Sequence, residues 1–139
     1  MKTTRLLLSL TISALFVGCA GESDPLGGAA EVAEGFLQAV VNGDAEAAED
    51  FALIEGDSEG FVIFTELLAA GEPAFDKAEV VDYGELRLGE GPYGRDLLTV
   101  EVEVQSTALA EERYTIGLVR EDGRWYVKDV PWEWSYALE

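Results

Sequence analysis

Histidine is absent from all 139 residues, cysteine occurs once, and lysine and arginine together number 9 against 28 aspartates and glutamates. Without imidazole the chain cannot assemble Ser-His-Asp or Cys-His catalysis, and the His-containing zinc sites go with it. A single cysteine excludes an internal disulfide framework. The length is one domain's worth, and such a domain buries roughly two-thirds of the surface its unfolded chain exposes, so a core can form without covalent staples. A formal charge of −19 argues against nucleic acid as a partner, because binding it requires lysine and arginine to neutralise phosphates. No long apolar run is present either: residues 6–17 fall short of the about 20 that a bilayer-spanning helix needs.

That short run has the layout of an export signal. Lys2 and Arg5 precede it, small hydroxyl residues are interspersed, and Gly18-Cys19 closes it. Phe16-Val17-Gly18-Cys19 resembles a lipobox, the prokaryotic lipoprotein signal, with Phe16 where leucine is usual and Leu15 beside it. The resemblance implies cleavage after residue 18, acylation of Cys19 and a stable anchor in a membrane of the cell envelope. The alternative is a soluble secreted protein cleaved near Ala20, with Cys19 lost. Residues 19–28 then read as the lipidated cysteine and a flexible Gly-, Ser-, Pro- and acid-containing tether, and 29–139 as the single folded domain. Its acidity has two readings: attraction of a basic partner, or a salt-adapted surface that keeps the protein soluble. The scarcity of lysine favours the second.

In residues 29–42 the apolar positions Ala29, Val32, Ala33, Phe36, Leu37, Val40 and Val41 recur at helical spacing, and Gly43 supplies the stop. Asp44 is a suitable N-cap for a short helix reaching about residue 53, with Phe51 as its core anchor. Phe61, Phe64, Leu67 and Leu68 mark a third helix, ended by Gly71 and Pro73. Residues 79–88 and 97–107 read as strands. In the second, Leu98, Val100, Val102 and Val104 alternate with polar residues. Residues 114–130 read as a β-hairpin turning at Asp122-Gly123, a pair suited to a type I′ turn. Setting Glu121 opposite Arg124 brings Ile116 opposite Asp129, so Tyr114, Ile116, Leu118, Trp125, Val127 and Asp129 are expected on one face.

The fold class is therefore α+β: three N-terminal helices packed on a curved antiparallel sheet of four or more strands. Taken with the helix, the Asn42-Gly43-Asp44 turn and the closing strand Asp122-Gly123-Arg124-Trp125-Tyr126-Val127, this order resembles the nuclear transport factor two-like (cystatin-like cone) superfamily. Its lipoprotein members with a domain of unknown function are the most similar. The resemblance covers about residues 29–130 and implies a cone-shaped domain. The superfamily holds both enzymes and non-catalytic binding modules, so function does not follow from it.

Three motifs weaken on inspection. Gly56-Asp57-Ser58-Glu59-Gly60 has nucleophile-elbow spacing but lacks a histidine base, and Ser58 is better explained as the N-cap of the third helix. Gly89-Glu90-Gly91-Pro92-Tyr93-Gly94 has dinucleotide-loop spacing but precedes a strand rather than a helix, and reads as a hairpin loop. The acid pairs Glu49-Asp50, Glu101 with Glu103, and Glu111-Glu112 lack the spacing of a calcium loop and read as solvated faces. Neither a metal nor a cofactor is expected.

The leading expectation is an envelope lipoprotein whose domain binds a small apolar ligand or a protein partner without catalysis, the partner being an envelope protein or a second copy of the chain. Trp132, Trp134 and Tyr136 recur at period two after Pro131. They form either a plug for the open end of the domain or a contact surface. The alternative is a small lyase, isomerase or hydrolase using Asp129, as a buried acid with a raised pKa, together with Tyr114 inside the cone; the plainer reading, which is favoured, leaves Asp129 at the open end of the sheet, hydrated or paired with an arginine.

Overall fold

The computed structural model describes residues 27–71 and 75–136. The export signal, Cys19 and the tether as far as residue 26 lie outside them, as does Pro73. The first helix, α1, spans Ala29–Asn42 and buries Ala29, Ala33, Phe36, Leu37 and Val40 along one side. Gly43 ends it with φ 69°, its N–H meeting the carbonyls of Ala39 and Val40. Asp44 then caps α2, Ala45–Asp50, by accepting from the Ala47 N–H at 3.1 Å.

The short helix stops at Asp50, sooner than its alanine content suggests, because the next three residues have another partner. The Val127 N–H donates to the Phe51 carbonyl at 2.8 Å, and the Leu53 N–H donates to the Val127 carbonyl at 3.0 Å. This parallel bridge covers an outer strand edge that would otherwise be open to another chain. Phe51 lies over Gly35, where a Cβ would stand 2.5 Å from the ring, so the two segments meet at a distance only glycine allows. Next comes α3, Glu59–Ala69, which buries Phe61, Phe64, Thr65 and Leu68.

The sheet has four strands: β1 Lys77–Tyr83, β2 Asp96–Gln105, β3 Arg113–Glu121 and β4 Arg124–Asp129. They lie in the order β1-β2-β3-β4, each antiparallel to its neighbour. In β2 the alternation holds: Leu98, Val100, Val102 and Val104 are buried, while Glu101 and Glu103 meet Arg113 across the strand. Residues 89–94 form the loop leading into β2, with a single turn of 3-10 helix at Pro92–Gly94. At the hairpin turn Asp122 and Gly123 have φ of 55° and 78°, the positive values a type I′ turn needs.

The hairpin register departs from expectation at its far end. Glu121 pairs with Arg124, Val119 with Tyr126 and Leu118 with Val127 as predicted, but Asp129 pairs with Gly117 instead of Ile116. One step along β3 is matched by two along β4, which makes Lys128 the extra residue of a bulge. The consequence is a change of face. Asp129 is exposed and sits against Gly117, with its Cβ and Oδ2 3.5 Å from where a glycine Cβ would stand. Ile116, Leu118 and Tyr114 remain on the core side. The physical reason is that the buried Lys128 side chain, not Asp129, finds partners of opposite charge in Glu55 and Asp57.

Pro131 ends the sheet, and the tail folds back as a helix, not as the extended segment that the period-two reading of its aromatics assumes. α4, Trp132–Tyr136, is fixed to α3 by the Ser135 hydroxyl, which donates to the Gly60 carbonyl at 2.7 Å. Helical spacing separates two residues that an extended tail would put together. Trp134 is fully buried, whereas Trp132 is 68% exposed; the side chain of Tyr136 lies outside the described residues. The Trp134 ring packs 5.0 Å from Phe75, 5.6 Å from Phe64 and 5.8 Å from Tyr114. Phe64 extends this cluster to Phe36 and Phe61. Trp125 belongs to the same core, with its pyrrole edge 3.9 Å from the Cβ position of Gly28 at the start of α1.

Candidate functional site

Two places gather polar side chains, and they differ in chemistry. The first is around Lys128, whose side chain is 2% exposed. Its ammonium donates to Glu55 Oε1 at 2.9 Å, Asp57 Oδ1 at 2.7 Å and Ser58 Oγ at 3.0 Å. Glu55 also receives two bonds from Arg95, at 2.9 and 2.6 Å, and Arg95 reaches on to Glu121. Ser58 occupies the position before α3, yet its side chain makes no capping bond. Instead its oxygen accepts from the Glu55 N–H at 3.0 Å.

A serine 3.0 Å from a lysine has the geometry of a nucleophile and its base, but the charge state is wrong. Burial pulls the Lys128 ammonium down, while the hydrogen bonds to Asp57 and Glu55 outweigh it and hold the group above the ordinary lysine range. A lysine kept protonated cannot take the serine proton. The Arg95 and Lys128 hydrogen bonds hold the Glu55 carboxyl down from an ordinary 4.5 to about 2. The cluster is thus a set of fixed charges that clamps the 55–58 loop against β4.

The predicted acid and its tyrosine are not brought together. Residue 129 is exposed, yet the protein atoms around its carboxyl partly desolvate it and raise it, with Lys128 opposing and Asp57 adding to the shift, and the bulge turns it away from the face that carries Tyr114. Tyr114 is 7% exposed, and its hydroxyl accepts from the Glu111 N–H at 3.3 Å. Burial is the main cause that raises its phenol, and the charges of Glu133 and Glu111 add to it. The phenol therefore stays protonated at neutral pH and is not available to take up a proton.

The second place is a cleft of about 250 Å³ where the 108–111 loop faces α4, lined by Leu109, Glu111, Tyr114, Trp132 and Glu133 with the small side chains of Ala108 and Ala110. β3 and α4 position it. Tyr114 enters from the first residues of β3, and its ring is held by Trp134 beneath. Trp132 and Glu133 come from the first turn of α4, which Pro131 starts by accepting from the Trp134 N–H at 3.0 Å. A larger hollow of about 340 Å³ lies at the other end of the hairpin, lined by Gly28, Glu31, Asp50, Arg124 and Trp125 among others. It mixes both signs of charge. The smaller cleft carries acids alone around an exposed indole, which makes it the more selective surface.

Of the predicted contact residues, the structure sets Trp132 in this cleft and Trp134 in the core. Sequence spacing links Glu111 only to its neighbour Glu112, as a solvated acid pair, and nothing links it to Glu133, since the two are 22 positions apart in the sequence and only the tail's return brings them to one opening. The same holds for Glu55 and Lys128. Among the described residues no group of three or more carboxylates or thiols converges to hold a metal ion, and no helix is long and apolar enough to cross a membrane. No protein-family model matches the chain, and no curated protein sequence matches it.

Proposed function

We propose that the chain is a cell-envelope lipoprotein, anchored through acyl chains on Cys19, whose cone-like α+β domain is a non-catalytic binding module. The observation that carries this reading is the occupation of the space between helices and sheet by Phe36, Phe61, Phe64, Phe75 and Trp134. A superfamily enzyme would need that space for substrate. Binding then falls to the surface, at the cleft bearing Trp132. Helices preceding an antiparallel sheet are the order that the resemblance to the nuclear transport factor two-like superfamily implies.

The position of the cleft suits a tethered domain. The described chain begins at Gly27, beside Gly123 and Trp125 at the turn end of the hairpin. Tyr114 and Trp132 lie at the opposite end of β3, whose nine residues put its ends about 26 Å apart at roughly 3.3 Å per residue. A tether on residues 19–28 would hold the turn end towards the bilayer and present the cleft outwards. The alternative, a small lyase, isomerase or hydrolase acting through Asp129 and Tyr114, draws support from the raised Asp129 carboxyl alone.

Two experiments on cells test the proposal. Cys19→Ser should move the protein from the membrane fraction to the soluble fraction or leave an unprocessed precursor; normal processing with membrane retention would refute the anchor. A photo-crosslinking amino acid at position 132 should trap a protein partner that the same residue at position 46, on exposed α2, does not. Equal trapping at both positions, or none at 132, would refute the cleft as the binding surface.

A further inference from the structure

Cations are scarce in this protein, and those among the described residues are placed away from the cleft. Six of the seven described lysines and arginines are committed to carboxylates: Lys77 to Glu79, Arg87 to Glu90, Arg95 to Glu55 and Glu121, Arg113 to Glu101 and Glu103, Arg120 to Asp96, and Lys128 to Glu55 and Asp57. The seventh, Arg124, lies over the Tyr126 ring at the far end of the hairpin. None reaches Glu111 or Glu133. These two carboxylates flank Tyr114 closely enough that both charges act on its phenol, and an exposed indole completes the opening.

We propose that this cleft is a receptor for one basic side chain, a lysine or arginine projecting from a protein partner, with its aliphatic stem on Leu109 and Trp132 and its charged head between Glu111 and Glu133. This rests on the binding-module reading and names the chemistry of the partner. Three observations converge on it. The volume, about 250 Å³, is below the roughly 300–1,000 Å³ of sites that enclose a small-molecule ligand. It suits a single side chain. An aromatic face attracts a cation through its quadrupole, most strongly on tryptophan. A long basic side chain covers apolar surface with its stem while keeping its head among polar groups, and the cleft offers those two surfaces side by side. Arginine and aromatic anchors set in such pockets are also where interface energy concentrates.

The test uses the full-length lipidated chain in detergent micelles, with the three indole N–H resonances assigned by single Trp→Phe variants. The probes are a short uncharged peptide carrying two lysines and its counterpart with glutamine at both positions. The lysine peptide should shift the Trp132 indole resonance and leave those of Trp125 and Trp134 in place, while the glutamine peptide should bind at least tenfold more weakly. Glu111→Gln with Glu133→Gln should weaken the lysine peptide at least fivefold. Glu46→Gln with Glu49→Gln, which removes the same charge from exposed positions on α2, should change its binding less than twofold. Equal losses in the two double variants would overturn the proposal, since the whole acidic surface would then be the attractor. Equal binding of both peptides at Trp132 would also overturn it, while leaving an apolar binding cleft standing. A Trp132 resonance that no probe moves would remove both readings.

Discussion

Two groups of carboxylates stand at different ends of α3's surroundings, and the molecule treats them in opposite ways. Glu55 and Asp57 are met by Lys128 and Arg95, and the serine between them and α3 adds a further bond. Glu111 and Glu133 face an open cleft with no ion pair among the described residues. Since cations are scarce in this chain, where they are placed shows which acids the fold depends on. The Lys128 cluster holds a loop to a strand across more than 70 positions of sequence. Among the described residues the cleft acids form no ion pair, and their removal should leave the fold intact.

The aromatic core behind the cleft is where the largest effect is expected. Trp134→Ala would empty the centre of the aromatic cluster and should cost roughly 3–5 kcal/mol in chemical denaturation. Trp134→Phe sharpens the point, because the Trp134 indole N–H has no partner among the described residues. Losing an unsatisfied donor offsets part of the lost volume, so that variant should cost less than about 1.5 kcal/mol. Similar losses for both variants would mean that the N–H is bonded.

Next in size is the clamp. Lys128→Met keeps the stem's volume and removes the charge, leaving Glu55 and Asp57 to find water at the surface, and should cost on the order of 1–3 kcal/mol. Hydrogen exchange should rise most in residues 51–58. Protection unchanged there would show that the loop is held by the Phe51–Leu53 backbone bonds without the lysine. Asp129→Asn should have the smallest effect. A carboxyl whose folded pKa is raised opposes folding when ionised, so at neutral pH the variant should be neutral or slightly more stable, within about 0.5 kcal/mol. A clear loss of stability, or of binding at Trp132, would restore Asp129 to a functional role.

Local signals account for most of what the sequence discloses. The Asn42-Gly43-Asp44 turn, the Asp122-Gly123 turn and the β2 alternation each depend on residues within a few positions of one another, and each is found where it was expected. The Lys128 bulge is not local: it depends on Phe51–Leu53 lying along the β4 edge and on Glu55 and Asp57 arriving beyond it. Without those partners, strict alternation places Asp129 on the core face. The fate of the tail turns on one choice of period. Read as extended, Trp132 and Trp134 share a face; as the helix α4 they divide, one into the core and one to the cleft. Tyr114 and Trp132 are each legible as candidates, but their meeting with Glu111 and Glu133 follows only from the tail's return onto α3.

The contrast between the two acid groups is tested most directly by stability as a function of pH for the parent chain, Glu55→Gln, and Glu111→Gln with Glu133→Gln. Because Glu55 is held down from 4.5 to about 2 by Arg95 and Lys128, its contribution is present above pH 4.5 and is lost as the pH falls through that interval. Asp96, lowered by its Arg120 hydrogen bond, acts in the same sense and should leave a remainder. The account predicts that Glu55→Gln lowers stability at pH 7 and flattens the acid limb, while the double variant keeps the parent's stability and its profile. A double variant that loses as much stability as Glu55→Gln would contradict it, since the cleft acids would then belong to the fold and not to a partner.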